Sequence, residues 1–190
     1  MNQRDIKEQK KYRDCFLIHA LLGLCGVAVA VYIYKYTGYL SGIAEGYVYV
    51  CRLDIRELFS RYYSEARYLI LLFAAGFTIY AAPAAILFSI LRGFVCAVGI
   101  LRLAAAAHLG SLSQTHFVMT AVSMALVFAV ELIMAAKTSR HGSHLQYIVP
   151  KAGDLFRDRT TRRYAATFAM LCGLLFAAVA LVYFAPLLPL

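Results

Sequence analysis

The sequence has no tryptophan, only four prolines, and charge on only 15% of its 190 residues. Its five cysteines are an odd number and form no CxxC pair, which argues against a disulfide framework. The chain also lacks a nucleophile elbow, an HExxH sequence, a P-loop and a carboxylate pair. These absences exclude the common hydrolase, zinc-protease and nucleotide-binding sites. We therefore predict no enzyme activity, no cofactor, no catalytic residue and no metal site.

Apolar residues dominate what is present. They make up 62% of the chain, and the mean hydropathy is +0.69. A soluble domain contains about half apolar residues, so the composition predicts an integral membrane protein. An uncharged run of about 20 residues can cross a bilayer as a helix. Five apolar runs predict an all-α, polytopic membrane helix bundle, with about five transmembrane helices over residues 15–34, 68–91, 93–109, 116–136 and 164–185.

The second predicted span, 68–91, has Pro83 near its middle and many small residues around it. Proline in the interior of a membrane helix produces a kink that neighbouring helices tolerate. Small residues allow helix backbones to approach closely in lipid. We therefore predict a kinked helix packed inside the bundle. An oligomer is also compatible with such small-residue surfaces.

The basic residues predict the topology. Lys and Arg concentrate in residues 1–14 and 137–163, and the net charge is +9. The positive-inside rule makes 1–14 a cytoplasmic tail and 137–163 an inner loop of one membrane domain, 15–190. The protein is then a multi-pass cell-membrane protein with a cytoplasmic N-terminus and an extracytoplasmic C-terminus. Because these charges flank apolar runs, they favour membrane lipid as the partner and not nucleic acid.

An amphipathic helix is predicted for the outer segment 51–66. Its apolar residues recur at helical spacing, and charged residues occupy much of the remainder. We expect it either to cover the bundle as a connecting helix or to lie in the membrane interface and offer a surface to partners. The residues predicted to face a partner are Leu53, Ile55, Leu58, Phe59 and Tyr62.

Two charged residues, Arg102 and Glu131, fall within predicted spans. Charges within a membrane are costly and mark either structural ion pairs or functional sites. A short turn joins their two helices, so the residues are expected to be neighbours. The sequence leaves three alternatives open. The two residues form an ion pair that determines helix register, or they form a polar site that faces a groove, a partner helix or a permeation route. In the third alternative, the third span is short or partly interfacial and Arg102 is solvated.

A short motif resembles a known family. Gly76 is followed by Pro83 and then by the pair Arg92-Gly93, each separated by an apolar run. This resembles the central segment of the stage II sporulation protein M family, in which the pair is Lys-Gly. The order of basic tail, first helix, amphipathic outer segment and dense membrane block is also similar.

The resemblance implies a non-enzymatic membrane anchor or scaffold. Family members recruit two peptidoglycan hydrolases, a glycan-cleaving enzyme and an amidase-endopeptidase. Together they remodel the septal wall during engulfment in sporulation. The alternative from the residues themselves is a membrane subunit of a transporter or permease. In that case Arg102 and Glu131 line the translocation path, and the basic 137–163 loop contacts a cytoplasmic ATPase.

Overall fold

A computed structural model describes residues 3–37, 55–108, 114–147 and 158–184. These residues form helices α1 (Gln3–Thr37), α2 (Ile55–Ala75), α3 (Ala81–His108), α4 (Gln114–Tyr147) and α5 (Arg159–Phe184). Four helices are long and apolar enough to cross a membrane, over Lys10–Tyr36, Ala81–His108, His116–Leu145 and Arg159–Leu181. The all-helical class is therefore confirmed for the described residues, and the four apolar helices support the prediction of a membrane protein.

The predicted kinked helix over 68–91 is wrong. The chain leaves the helix after Ala75 and turns through residues 76–80 before α3 begins. Thr78 stabilises this turn, since its hydroxyl donates to the carbonyl of Ala75 at 2.8 Å and accepts from the amide of Tyr80 at 3.3 Å. Pro83 lies in the first turn of α3, where backbone N–H groups have no intrahelical acceptor. Proline is therefore accommodated at this position without a kink.

Two other boundaries change with this turn. The predicted third span, 93–109, is the second half of the single helix α3. The predicted outer helix 51–66 continues without a break into the first part of the predicted second span, so residues 55–75 form one helix. Neither glycine nor proline interrupts this stretch. Residues 51–54 lie outside the described residues, and with them Cys51 and Leu53.

Much of the two basic segments is helical. Residues 3–14 of the predicted basic tail form the start of α1. Residues 137–147 of the predicted inner loop extend α4, and α5 begins at Arg159. The remaining loop residues, 148–157, lie outside the described part of the chain. Asp158 caps α5, because its side chain accepts from the amides of Thr160 and Thr161, both at 3.1 Å.

The helices alternate in direction. Tyr12 in the first half of α1 lies under Lys137 near the end of α4, with 4.1 Å between the ammonium and the ring centre. Ala81 at the start of α3 contacts Gly142 near the end of α4. Helices α1 and α3 are therefore both antiparallel to α4. One end of the bundle, which we call the basic end, carries Lys10, Lys11, Arg13, Lys137, Arg140, Arg159, Arg162 and Arg163.

Helix α2 runs beside α5 in the opposite direction. Phe59 packs 6.2 Å from Phe176, between ring centres, and Phe73 stacks 4.4 Å from Phe168. Ser123 of α4 donates to the carbonyl of Ala178 at 2.6 Å, near the other end of α5. Helix α2 therefore starts at the opposite end of the bundle, which we call the distal end. It finishes at the basic end, where the 76–80 turn follows.

Glycine permits direct backbone contact between α1 and α3. A Cβ atom on Gly93 would overlap the carbonyl oxygen of Gly23, and one on Gly26 would overlap the carbonyl oxygen of Ile90. The two backbones therefore touch directly, as small-residue packing in membranes allows. In the same interface Nδ1 of His19 lies 2.9 Å from the hydroxyl of Ser89.

The core lies where α2, α4 and α5 meet, and its largest fully buried apolar residues are Leu69, Met134, Leu171 and Leu175. The outer surface is also apolar. Leu21 on α1 is 63% exposed and Leu87 on α3 is 60% exposed. In water, exposed leucines over so much of the surface would be unfavourable, whereas lipid accommodates them. The distribution is that of a membrane bundle, with polar groups inside.

Candidate functional site: a buried charge cluster

Three charged side chains from three helices meet inside the bundle. Arg92 on α3 donates from Nε to Oε2 of Glu131 on α4 at 2.7 Å, and from Nη2 to Oε2 of Glu65 on α2 at 2.6 Å. The ring of Tyr68 lies 4.6 Å from the guanidinium carbon, which adds a cation–π contact. We call Glu65, Arg92 and Glu131 the charge cluster.

Burial differs sharply among the three members. The side chain of Glu131 is 1% exposed, that of Arg92 12% and that of Glu65 31%. Oε1 of Glu131 is buried and has no hydrogen-bond partner among the described residues. With both carboxylates ionised, one arginine faces two glutamates, which leaves one uncompensated negative charge. An uncompensated charge away from water is costly, so ionisation of both carboxylates in the cluster is unfavourable unless another positive charge binds.

A cavity of about 380 Å³ opens beside the cluster. It lies towards the distal end, between α2, α3, α4 and a single residue of α5, Val179. Cys96 lines it one turn above Arg92, and its apolar wall is formed by Val95, Met124, Val127, Phe128 and Val179. The polar side chains on its wall are Arg61, Ser64, Glu65, Arg92, Thr120 and Ser123.

The charged face of α2 leads from the distal end to the cluster. Glu57 accepts from Arg61 at 3.1 Å, and Arg61 lies one helical turn above Glu65. Both side chains are about one-third exposed, so the charge on this part of the helix is only partly screened from solvent. Successive turns of α2 therefore present paired charges at increasing depth. Because of these charges, α2 is not one of the four helices that are apolar enough to cross a membrane.

On the basic-end side of the cluster the bundle is closed. Tyr68 packs 6.2 Å from Phe88, and Leu69, Leu72 and Ala85 are fully or almost fully buried. Beyond this apolar layer, the hydroxyl of Tyr164 donates to the backbone carbonyls at the end of α2. The polar cavity therefore extends from the distal side to the charge cluster and stops there.

Tyr164 organises the basic end of the bundle. Its hydroxyl lies 3.1 Å from the carbonyl oxygen of Leu72, 3.2 Å from that of Phe73 and 2.9 Å from the hydroxyl of Thr138. Both carbonyls also accept from the amide of Gly76, at 3.1 and 3.2 Å, so the Tyr164 hydroxyl is an additional donor at the end of α2. Gly76 packs against the same hydroxyl so closely that a Cβ atom there would overlap it. Gly76 and Tyr164, which are distant in sequence, thus hold the 76–80 turn against α5.

Glu131 has a partner, but it is not the residue the sequence suggested. Arg92 makes the ion pair, and Arg102 lies ten residues farther along α3, about 15 Å towards the distal end. Arg102 is half-buried near the end of that helix. Sequence reasoning placed Arg92 at a membrane boundary because it ended an uncharged run. Reading Pro83 as the start of a helix would have placed Arg92 inside the next span.

The other predicted residues are distributed differently. Ile55 is 72% exposed and Phe59 is 55% exposed, whereas Leu58 and Tyr62 pack against the core. Only part of the predicted partner-facing set is therefore on the surface. Gly76 begins the 76–80 turn and Pro83 follows it in the first turn of α3, while the Arg92-Gly93 pair lies inside α3. The motif residues therefore lie at the 76–80 turn and, through Gly93, at the contact between α1 and α3.

The histidines near the end of α4 contact an aromatic and an acidic side chain. His144 lies 3.7 Å from Asp158, and His141 stacks 4.3 Å from Tyr164. Over the described ranges, no group of three or more His, Cys, Asp or Glu side chains has the spacing to hold a metal ion.

Comparisons with protein-family models, with curated proteins and with solved structures found no match. The resemblance to the stage II sporulation protein M family stays a prediction.

Proposed function

We propose that this protein is a carrier-like or permease-like membrane subunit that binds a small polar solute within its helix bundle. The observation that carries the proposal is the position of Arg92, held by two carboxylates at the closed end of a polar cavity. Ionisable residues at membrane depth are costly and are commonly retained for solute or ion pathways. Arg92 takes the role that the sequence suggested for Arg102, and Glu131 supports it from behind the cavity wall through their ion pair.

The proposed topology has five passes. Helix α2 lies antiparallel to α5 along much of its length, which favours α2 as the fifth crossing element. The positive-inside rule places the basic end in the cytoplasm. The N-terminus is then cytoplasmic, the C-terminus is extracytoplasmic, and the cavity faces the outside. Charges on α2 are accommodated because they pair with each other and border this cavity.

The cavity has the chemistry of a site for a polar solute. Its volume of about 380 Å³ exceeds that of several water molecules, each of which occupies about 30 Å³ in the liquid. Hydroxyl groups of Ser64 and Thr120 line it together with charged groups of Arg61 and Glu65. A site of this kind combines a few polar contacts with an otherwise apolar wall, as small-molecule sites usually do.

Cys96 provides a direct test, because its thiol lies on the cavity wall. A variant that retains only this cysteine is placed in sealed vesicles and treated with a small, charged, membrane-impermeant thiol reagent. We expect Cys96 to react, and to react more slowly when a bulky residue replaces Ser64. A matched variant that retains only Cys25, which is exposed on the outer face of α1, should remain unreactive in lipid. An unreactive Cys96 would refute a water-filled cavity and with it this function.

The scaffold function implied by the family resemblance is a second proposal. It is supported by the exposure of Ile55 and Phe59 at the distal end of α2, where the proposed topology places them outside the cell. In this proposal that surface recruits peptidoglycan hydrolases. Co-purification from detergent extracts is the test. Wall hydrolases should be recovered with the native protein and lost from a variant carrying Ile55→Ser and Phe59→Ser, but not from Leu87→Ser, which alters an exposed leucine on α3.

A further inference from the structure

We propose that the charge cluster is a binding site for one proton, and that Glu131 carries it on Oε1. The inference rests on geometry and charge count. Arg92 contacts both carboxylates through their Oε2 atoms, and one arginine neutralises only one of them. A proton on the second carboxyl makes the cluster neutral without any further ligand. Its consequence for solute binding, given below, rests on the proposed function.

Burial selects Glu131 over Glu65 as the carrier. Glu65 lines the cavity and is 31% exposed, so water can solvate its charge. Glu131 is 1% exposed, does not line the cavity, and has one oxygen without a partner among the described residues. An ionised carboxylate is most costly where water cannot reach it. The ionised pair is therefore Arg92 with Glu65, while Nε of Arg92 donates to the carbonyl oxygen of a neutral Glu131.

No other described helix supplies an evident second positive charge to this position. Helix α5 contributes the apolar Leu171 and Leu175 to the neighbouring core. At a similar level of α1, His19 is already hydrogen-bonded to Ser89. The described titratable and charged side chains that face the charge cluster or lie within one helical turn of it are Arg61, Glu65 and Tyr68 on α2, Arg92 and Cys96 on α3, and His19 on α1. Arg61 pairs with Glu57, so its charge is already compensated on α2.

Proton occupancy would determine which solute the cavity accepts. When the Oε1–H bond of Glu131 breaks, the proton leaves to water and Arg92 becomes shared between two carboxylates. The cluster then has one excess negative charge directly beside the cavity. That charge attracts a monovalent cationic solute and repels an anionic one. The proton and a cationic solute therefore compensate the same charge, and binding one disfavours the other.

Infrared difference spectroscopy of the purified protein in lipid nanodiscs tests the proton site. A protonated carboxyl has a C=O stretch that is separate from the carboxylate bands. We expect the wild type to show this band at neutral pH and to lose it at alkaline pH. Glu131→Asp, which keeps the charge and changes the position of the group, should shift the band. Glu65→Asp should leave its frequency unchanged.

Charge-removing variants supply the complementary result. Glu131→Gln should abolish the band because it removes the carrier. Glu65→Gln should also abolish it, because one carboxylate then faces one arginine and ionises. Asp158→Asn, at a partly exposed carboxylate outside the cluster, should leave the band intact.

The opposite results would overturn the proposal. They are the absence of the band from the wild type at neutral pH, or a shift with Glu65→Asp alone. The wild-type measurement stands even if a variant fails to fold. Labelling of Cys96 distinguishes the two proposals, since a labelled Cys96 without a carboxyl band refutes the proton site and leaves the solute cavity standing.

Discussion

Replacing Gly93 with alanine should destabilise the protein, although alanine is the better helix former. A Cβ atom at this position would overlap the carbonyl oxygen of Gly23 in the neighbouring helix. Alanine gains about 1 kcal/mol in helix propensity over glycine. Overpacking a tight contact costs about 1–3 kcal/mol, and the upper end applies here because a backbone atom cannot change its rotamer. The expected net loss in the free energy of unfolding is about 2 kcal/mol.

Gly173 is the matched control, because it also lies inside a membrane helix but has nothing within 4 Å of a Cβ atom. Gly173→Ala should therefore stabilise the protein by up to about 1 kcal/mol. The two variants then differ by about 3 kcal/mol, which corresponds to about 6–12 °C in the unfolding temperature for a chain of this size. Thermal unfolding in detergent micelles measures this difference. Equal unfolding temperatures for the two variants would refute direct backbone contact between α1 and α3.

Three further substitutions test other parts of the fold by the same unfolding assay. Arg92→Ala should cost about 3 kcal/mol because it leaves buried carboxyl groups without their partner, and it should cost clearly more than Arg102→Ala nearer the helix end; equal losses would contradict a cluster built on Arg92. Tyr164→Phe should cost about 1 kcal/mol because a buried donor to the Leu72 and Phe73 carbonyls is lost while the amide of Gly76 still donates to both, whereas Tyr63→Phe, at a side chain 71% exposed, should change little. Partial burial works to raise the pKa of Asp158, but the backbone N–H of Thr161, the neighbouring His144 and the backbone N–H of Thr160 together lower it below its ordinary value. Asp158→Ala should therefore cost about 1 kcal/mol at neutral pH. The difference in stability from wild type should persist above about pH 4 and disappear as the pH falls through the lowered native pKa of Asp158. A difference that does not change with pH would exclude an ionised cap.

Composition and hydrophobic runs were sufficient to predict a helical membrane protein. The runs beginning near residues 15, 116 and 164 each correspond to a membrane-length helix. This part of the prediction was reliable because the need to bury about 20 apolar residues in lipid is a local property of the chain. The basic segments 1–14 and 137–163 likewise predicted which residues gather at one end, although much of each segment is helical.

The region from residue 51 to residue 109 was divided incorrectly. A central proline between two apolar runs is compatible both with a kinked membrane helix and with a helix that starts just before the proline. The local sequence pattern does not separate these cases, because both arrangements tolerate a residue that has no backbone N–H to donate. The choice depends on whether residues 76–80 can be held as a turn. Tyr164, from the last helix, supplies the contacts that hold it.

The chain by itself determined the kind of protein, because hydrophobicity, length and charge position are written directly in the residues. It also marked Glu131 as unusual, since a carboxylate inside an apolar run is visible without a structure. Only the tertiary structure decided its partner. Glu65, Arg92 and Glu131 are far apart along the chain, and their meeting depends on helix boundaries and on which faces of α2, α3 and α4 pack together. A shift of one turn along a helix moves a side chain by about 5.4 Å, enough to replace one ion pair with another.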